Sequence, residues 1–376
     1  MIDNKNRTVG IVTINDYTNY GNRLQNIAFT IFLENAGYSV INGIQVFTKE
    51  AWVYSTSSVF RRLLKHLLPY KLVKGRLYKS RQIIDPLLMI RKERFGQFCS
   101  IYLKTIDPII AATNRQALRV LEKYGIDKYI SGSDQVWNPY YEGRAYEFLL
   151  FAPKDKRLSY AASFGVDTIP RSQQYYYKRC INDLSYISVR EENGAKIVYE
   201  LTKRDSHISV DPTLLLNSNS WEGIVVSPKF SLPKEYICTY FLGEKPMALS
   251  SFAKAKNLEI IELNNRDYEE LFTINPGEFL YILKNANYIL TDSYHAVVFS
   301  IIFRKQFYVF KRKQENTGDM FSRIETITEQ LQLEDRIQNR EIIIENDHII
   351  DWDLIERKID NLRNLSVISL MEALEK

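Results

Sequence analysis

The 376-residue sequence predicts an α/β protein made of two Rossmann-like, doubly wound domains that face each other across a cleft. Three observations carry this prediction. First, β-rich and helix-patterned segments alternate through two long series, which implies mainly parallel sheets with helices on both faces. Second, a break at Asp211-Pro212-Thr213, followed by the polar stretch Asn217-Ser218-Asn219-Ser220, separates the two series. Third, the length favours about two domains.

In the first series a β-rich run at 9–14 precedes a polar loop and a helical pattern at 24–35, and a strand resumes at 39–47. Further strands are expected at 128–131, 157–164, 186–190 and 206–210, with helices at 115–124, 173–182 and 193–203. The second series places strands at 236–242, 258–263, 288–290 and 307–310, and helices at 247–255, 276–285 and 295–303. A long amphipathic helix at 351–374 ends the chain. The expected division is a first domain at 1–216 with a basic insertion at about 55–105, a second at 217–349, and a final helix within 350–376 that packs back on the first.

A composition of 45% hydrophobic and 25% charged residues is that of a folded globular chain, which excludes a disordered one. No apolar run reaches the roughly 18 residues a membrane span needs. The opening MIDNKNRTVG has no secretory h-region, so a cytoplasmic setting is expected. Cys99, Cys180 and Cys238 are widely spaced and form no CxxC pair, which argues against a disulfide framework or a zinc site. The net charge of +5 is uneven, because residues 61–104 hold twelve Lys/Arg against only Asp85 and Glu93. Interleaved with Leu and Tyr, this segment reads either as a solvated helical insertion or as a peripheral contact with an anionic membrane face. No nucleic-acid-binding motif accompanies the charge, so nucleic acid is not an expected partner.

The most informative motif is Thr291-Asp292-Ser293-Tyr294-His295, between a short buried strand and an almost wholly apolar helix. Asp292 and Ser293 are good N-cap residues, which places His295 in the first helical turn, just past a strand's carboxyl end. Ligands collect at that edge, and helix N-termini offer free N–H groups to anions. His295 there is either an acid–base group or a structural histidine that satisfies a loop carbonyl. Similar strand ends recur. In the first βα loop, Asn22 and Gln25 either bind sugar hydroxyls or phosphate, or act as N-cap and N3 partner. Ser133, Asp134 and Gln135, ahead of Trp137, suit carbohydrate recognition with the ring on an apolar sugar face; the alternative is a tight turn beside a core tryptophan. Arg190 is suited to clamp a carboxylate or phosphate, or to pair with Glu191 or Glu192. Lys311, Arg312 and Arg323 are further cations at the second domain's strand ends, Arg323 reading equally as part of a solvated helix face.

Other chemistries lack their signatures. There is no GxGxxG, no phosphate-loop motif and no GxSxG elbow. Asp351-Trp352-Asp353 matches a DxD metal motif, but capping of the last helix explains it better. His66, His207 and His348 form no metal constellation, so no metal is expected.

Taken in order, NYGNRLQ, GSDQVWNP, SYAASFG, SVREENG, VDPTLLL and TDSYH resemble the polysaccharide pyruvyl transferase family over about residues 8–336. The chain departs from it at Ala296, where the family usually has glycine. The resemblance implies a GT-B-like fold, with the acceptor on the first domain and phosphoenolpyruvate on the second. It also implies transfer of pyruvate to two hydroxyls of a sugar as a cyclic ketal, with release of phosphate and without a metal or organic cofactor. Arg190 and His295 match the family's arginine and histidine. The basic segment would suit a lipid-linked saccharide acceptor. Two alternatives are a glycosyltransferase that uses a nucleotide sugar and a non-catalytic component of a polysaccharide-assembly complex.

Overall fold

Two all-parallel sheets form the frame of the protein, seen here in a computed structural model that describes residues 7–49, 85–141, 145–312, 321–341, 343 and 350–376. In the first sheet β1 (Thr8–Val12) lies between β2 (Ser39–Ile41) and β5 (Ile126–Ser131), and β6 (Arg157–Ser159) follows β5. Single bridges from Leu158 to Tyr186 and from Ala162 to Val189 extend it to the pair β7 (Ser188–Val189) and β8 (His207–Ile208). A separate pair, β3 (Val46–Thr48) and β4 (Ile109–Ala111), flanks it. The helices of this half are α1 (Tyr20–Asn35), α2 (Pro86–Cys99), α3 (Asn114–Glu122), α4 (Arg171–Asn182) and α5 (Glu192–Thr202).

The second sheet has the order β10-β9-β11-β12-β13, where β9 is Tyr236–Tyr240, β10 Glu259–Leu263, β11 Tyr288–Thr291, β12 Gln306–Phe310 and β13 Ile337–Gln338. Its helices are α6 (Leu249–Lys256), α7 (Pro276–Asn285), α8 (Tyr294–Ile302) and α9 (Ser322–Leu331). The two halves are Rossmann-like domains facing a cleft, as the alternating pattern predicts. Strand order reverses between β1 and β5 in one sheet and between β9 and β11 in the other, and such switch points are where open α/β sheets bind ligands.

The expected strand at 39–47 splits into β2 and β3. Gly43 takes a φ of 69° there, and a Cβ on it would lie 2.7 Å from Asn15 Oδ1, so extended backbone cannot continue through it. Helix α1 begins four residues before the expected 24, because Asn19 caps it by accepting from the Asn22 N–H at 3.1 Å. Asn22 is therefore not the N-cap, and the capping pair with Gln25, the alternative to ligand binding, does not form.

Of the basic segment, residues 61–84 lie outside the described residues. The part that follows is docked on the second domain. Arg91, Phe95, Phe98 and Cys99, at helical spacing, form the buried face of α2, and Arg94 Nη2 donates to both carboxylate oxygens of Glu278 at 2.8 Å. Tyr20 pins α1 to the same domain: its ring stacks on Phe279 at 4.3 Å, and its hydroxyl donates to the Ile274 carbonyl at 3.2 Å. The last helix, α10 (Trp352–Glu375), runs back across the first domain. There Arg363 Nε donates to the Leu214 carbonyl at 2.6 Å, and Ser366 Oγ accepts from the Val210 N–H at 3.0 Å. Among the described residues no helix is long and apolar enough to cross a membrane.

Candidate active site

Loops from both switch points meet over a cavity of about 220 Å³. The loop after β1 contributes Ile14, Asp16 and Asn19, and the loop after β5 contributes Asp134 and Gln135. From the second domain come Leu242 after β9, the run from Asp292 to His295 after β11, Arg312 after β12 and Arg323 at the start of α9. The space is small against the roughly 300–1,000 Å³ of sites for drug-sized ligands.

His295 lies in the first turn of α8, where Ser293 occupies the N-cap position without a side-chain capping bond. The leading N–H groups of α8 are thus left for a ligand. The ring sits so close to α1 that a Cβ on Gly21 would lie 2.0 Å from Nδ1, so only glycine fits that position. Nε2 is buried without a hydrogen bond, 3.6 Å from Asp211 Oδ2. Nδ1 lies against Gly21, and the residue lines the cavity.

Asp211 follows β8 and is wholly buried. Its Oδ1 accepts from the Thr213 N–H at 3.0 Å and the Thr213 hydroxyl at 2.7 Å; its Oδ2 accepts from Arg190 Nη1 at 2.6 Å and from Ser133 Oγ at 3.3 Å. Burial alone would raise its pKa. The adjoining His295 and Arg190, together with the Thr213 N–H, outweigh burial and hold the carboxyl far below the usual carboxylate range.

Arg190 does not line the cavity. Its guanidinium lies behind Tyr294, 4.8 Å over that ring, and Arg323 stacks on the same ring at 5.6 Å. Asp134 Oδ1 is 3.7 Å from Arg190 and 3.8 Å from Arg323, and Glu191 Oε2 is 3.9 Å from Arg190 Nε. Burial opposes the charge on Arg190, but Asp211 and its other acidic neighbours raise its pKa nonetheless. Asp134 is likewise depressed: burial opposes ionisation, and Arg190, His295 and Arg323 overcome it. Burial pushes the Glu191 carboxyl up. Arg190 Nε and Nη2 are buried donors without hydrogen-bond partners.

The other sequence candidates divide between the cavity and its wall. Gln135 lines the cavity, with its Oε1 accepting from Asn138 at 2.9 Å and from the Tyr141 hydroxyl at 2.9 Å. Asp292 also lines it, but as a clasp: it accepts from the Leu242 and Gly243 N–H groups at 2.8 Å each and from Arg312 Nε at 3.0 Å. Asn22 is fully buried and bridges the first loop to Asp134, donating to Oδ2 at 3.1 Å. Gln25 faces inward, donating to Asn26 Oδ1 at 2.7 Å, and does not reach the cavity. Ser133 is spent on Asp211. Lys311 is exposed beside Phe321, and it is Arg312 that reaches inward, because successive residues at the end of β12 point to opposite sides. Trp137 is a core residue, fully buried and stacked on Phe148 at 5.7 Å, so it offers no ring to a sugar. Asp351 caps α10 through the Leu354 N–H at 2.9 Å. Among the described residues no cluster of three metal-ligating side chains occurs. Arg312, read from the sequence beside Lys311 as a further cation, does line the cavity, whereas sequence reasoning missed Asp211 and Tyr294 as site residues.

A family model described as polysaccharide pyruvyl transferase matches residues 19–314. The chain belongs to the polysaccharide pyruvyl transferase family. That match spans both domains and the cavity-lining residues from Asn19 to Arg312. No curated protein matches the sequence. Among solved structures, the UDP-GlcNAc 2-epimerase of Neisseria meningitidis bound to UDP-GlcNAc is 11% identical, with 97% of this chain and 100% of that one covered at a TM-score of 0.43. A glycosyltransferase from Rickettsia africae is 13% identical, with 99% and 96% covered and a TM-score of 0.42. The glycosyltransferase SnogD from Streptomyces nogalater is 9% identical, with 96% and 95% covered and a TM-score of 0.39. Likeness at this level says nothing of a shared substrate.

Proposed function

We propose that this pyruvyl transferase family member takes pyruvate from phosphoenolpyruvate and places it on two hydroxyls of a saccharide, releasing phosphate. The observation that supports the reading most is an imidazole backed by a buried carboxylate, at a cavity where an open helix N-terminus, Arg312 and Arg323 converge. Phosphoenolpyruvate carries a phosphate and a carboxylate, so it needs this density of donors. Arg312 spends Nε and Nη2 on Asp292, which leaves Nη1 for the ligand.

In this scheme His295 delivers a proton to the methylene carbon, which makes the central carbon electrophilic. One sugar hydroxyl adds there and gives up its proton. Phosphate leaves carrying one proton, and the second hydroxyl closes the ketal and releases its own. Asp211 Oδ2, 3.6 Å from Nε2, holds the ring in place. Arg190, expected from sequence at the anion, acts instead as a positioning residue: it keeps Asp211 ionised and Tyr294 in place. Asp134 and Gln135 orient the acceptor at the rim.

The test is phosphate release from phosphoenolpyruvate in the presence of free, nucleotide-linked and lipid-linked saccharides. Loss of general acid–base catalysis in His295→Ala should slow release by roughly 10²- to 10⁴-fold. No release across the panel, or consumption of a nucleotide sugar with release of its nucleotide, would overturn the reading.

A further inference from the structure

A second cavity, of about 320 Å³, opens beside the first and shares Asp16, Asn19 and Leu242 with it. Its own walls include Arg91, Asn264, Arg266 and Phe272. Arg91 is only 2% exposed. Its guanidinium lies 4.5 Å over the Tyr20 ring and 5.0 Å over Phe272, and Nη1 donates to the neutral Asn264 Oδ1 at 3.0 Å. Nε has no hydrogen-bond partner, and among the described residues no carboxylate pairs with this arginine. A buried cation without a counter-charge is costly, and cation–π contacts return only part of the lost hydration. A ligand anion would supply what is missing. Arg266 adds a second cation at the rim; it is half exposed, pairs with Asp85 and lies 5.0 Å over Phe272.

We propose that this cavity binds a phosphate ester carried by the saccharide acceptor. Guanidinium groups match phosphate geometry, and two of them converge here. The first cavity has cations of its own, and the Asp16 carboxylate on the shared rim separates the two anion sites. An acceptor anchored by its phosphate on Arg91 and Arg266 then extends over Asp16 and Asn19 and presents its hydroxyls to His295. This rests on the reading of the first cavity as the phosphoenolpyruvate site.

Calorimetric titration of the full-length protein with inorganic pyrophosphate, with and without saturating phosphoenolpyruvate, tests the proposal. Pyrophosphate should bind with phosphoenolpyruvate present. Arg91→Gln and Arg266→Gln should each weaken it by about tenfold or more, without changing phosphoenolpyruvate affinity. Arg266 is partly solvated, so its variant folds even where the Arg91 variant does not. Absence of binding, competition with phosphoenolpyruvate, or equal binding by the Arg266 variant and the wild type would each overturn it. Uridine diphosphate and geranyl diphosphate as further probes separate the carriers: tighter binding of the first marks a nucleotide-linked acceptor, of the second a lipid-linked one. Should phosphoenolpyruvate itself not bind while pyrophosphate still depends on the two arginines, the donor assignment falls and the second cavity stands.

Discussion

At the scale of single residues, the placement of His295 depends on an atom that is missing. Gly21 has no Cβ, and adding one would put carbon 2.0 Å from Nδ1. Gly21→Ala should therefore displace the imidazole and lower kcat by about 10²-fold, since misplacing a catalytic group by 1 Å or so costs that much. The strain should cost about 1–3 kcal/mol, read from denaturant unfolding. An alanine variant with unchanged turnover would refute this placement. Asp211 yields a pH prediction. Its folded pKa is depressed, so its stabilisation is complete above the unfolded value of about 4 and is lost as pH falls through the lower folded value. Asp211→Asn should cost about 3 kcal/mol at neutral pH, because Arg190 is left buried with poorer compensation, and stability should then fall less steeply below about pH 4. Unfolding free energies measured across that range decide it; identical slopes in the two proteins would refute the assignment. Position at a strand end made His295 legible from sequence. It could not distinguish Asn22 and Gln25, which face inward, from Gln135, which faces the cavity, because polar side chains at such ends look alike whichever way they point. Asp211 was missed for a related reason: its aspartate-proline break reads as a turn, and only the folded chain brings it to His295 from 84 positions away.

At the scale of elements, what could be read depended on whether a segment's neighbours in sequence are also its neighbours in space. The α8 helix was legible because its apolar run is buried all round. The break between β2 and β3 was not, since it arises from Asn15, which lies in another loop. The α7 helix combines both cases. Asn275 and Glu278 form a reciprocal capping box, and Glu278 also accepts from Arg94 on α2. Glu278→Ala removes both interactions. Because Arg94 is partly exposed and can rehydrate, the loss should be about 1–2 kcal/mol, visible as a lower Tm. A change confined to a few tenths of that would show that α2 is held by its apolar face alone.

At the scale of the whole molecule, the two domains were predicted from alternation, but their union was not. Alternating patterns report which faces are covered, and do not say by which half of the chain. Among the described residues, Tyr20 on Phe279, α2 on α7, and α10 along the first domain all help to join the halves. Calorimetry should accordingly show one cooperative transition, and two separable ones would contradict the extent of this shared core. Ending the chain before α10 removes Ile355, Ile359, Leu370 and Leu374 from the buried surface, which should cost of order 5 kcal/mol.

The contact between Gly21 and His295 has a spectroscopic corollary. One glycine backbone of the first domain lies against an imidazole of the second, so its amide proton sits within that ring's magnetic field. Its chemical shift follows the distance between the two halves and the charge on the ring. A single nitrogen-15 label at Gly21 thus turns opening of the cleft, and protonation of the ring inside it, into the position of one resonance.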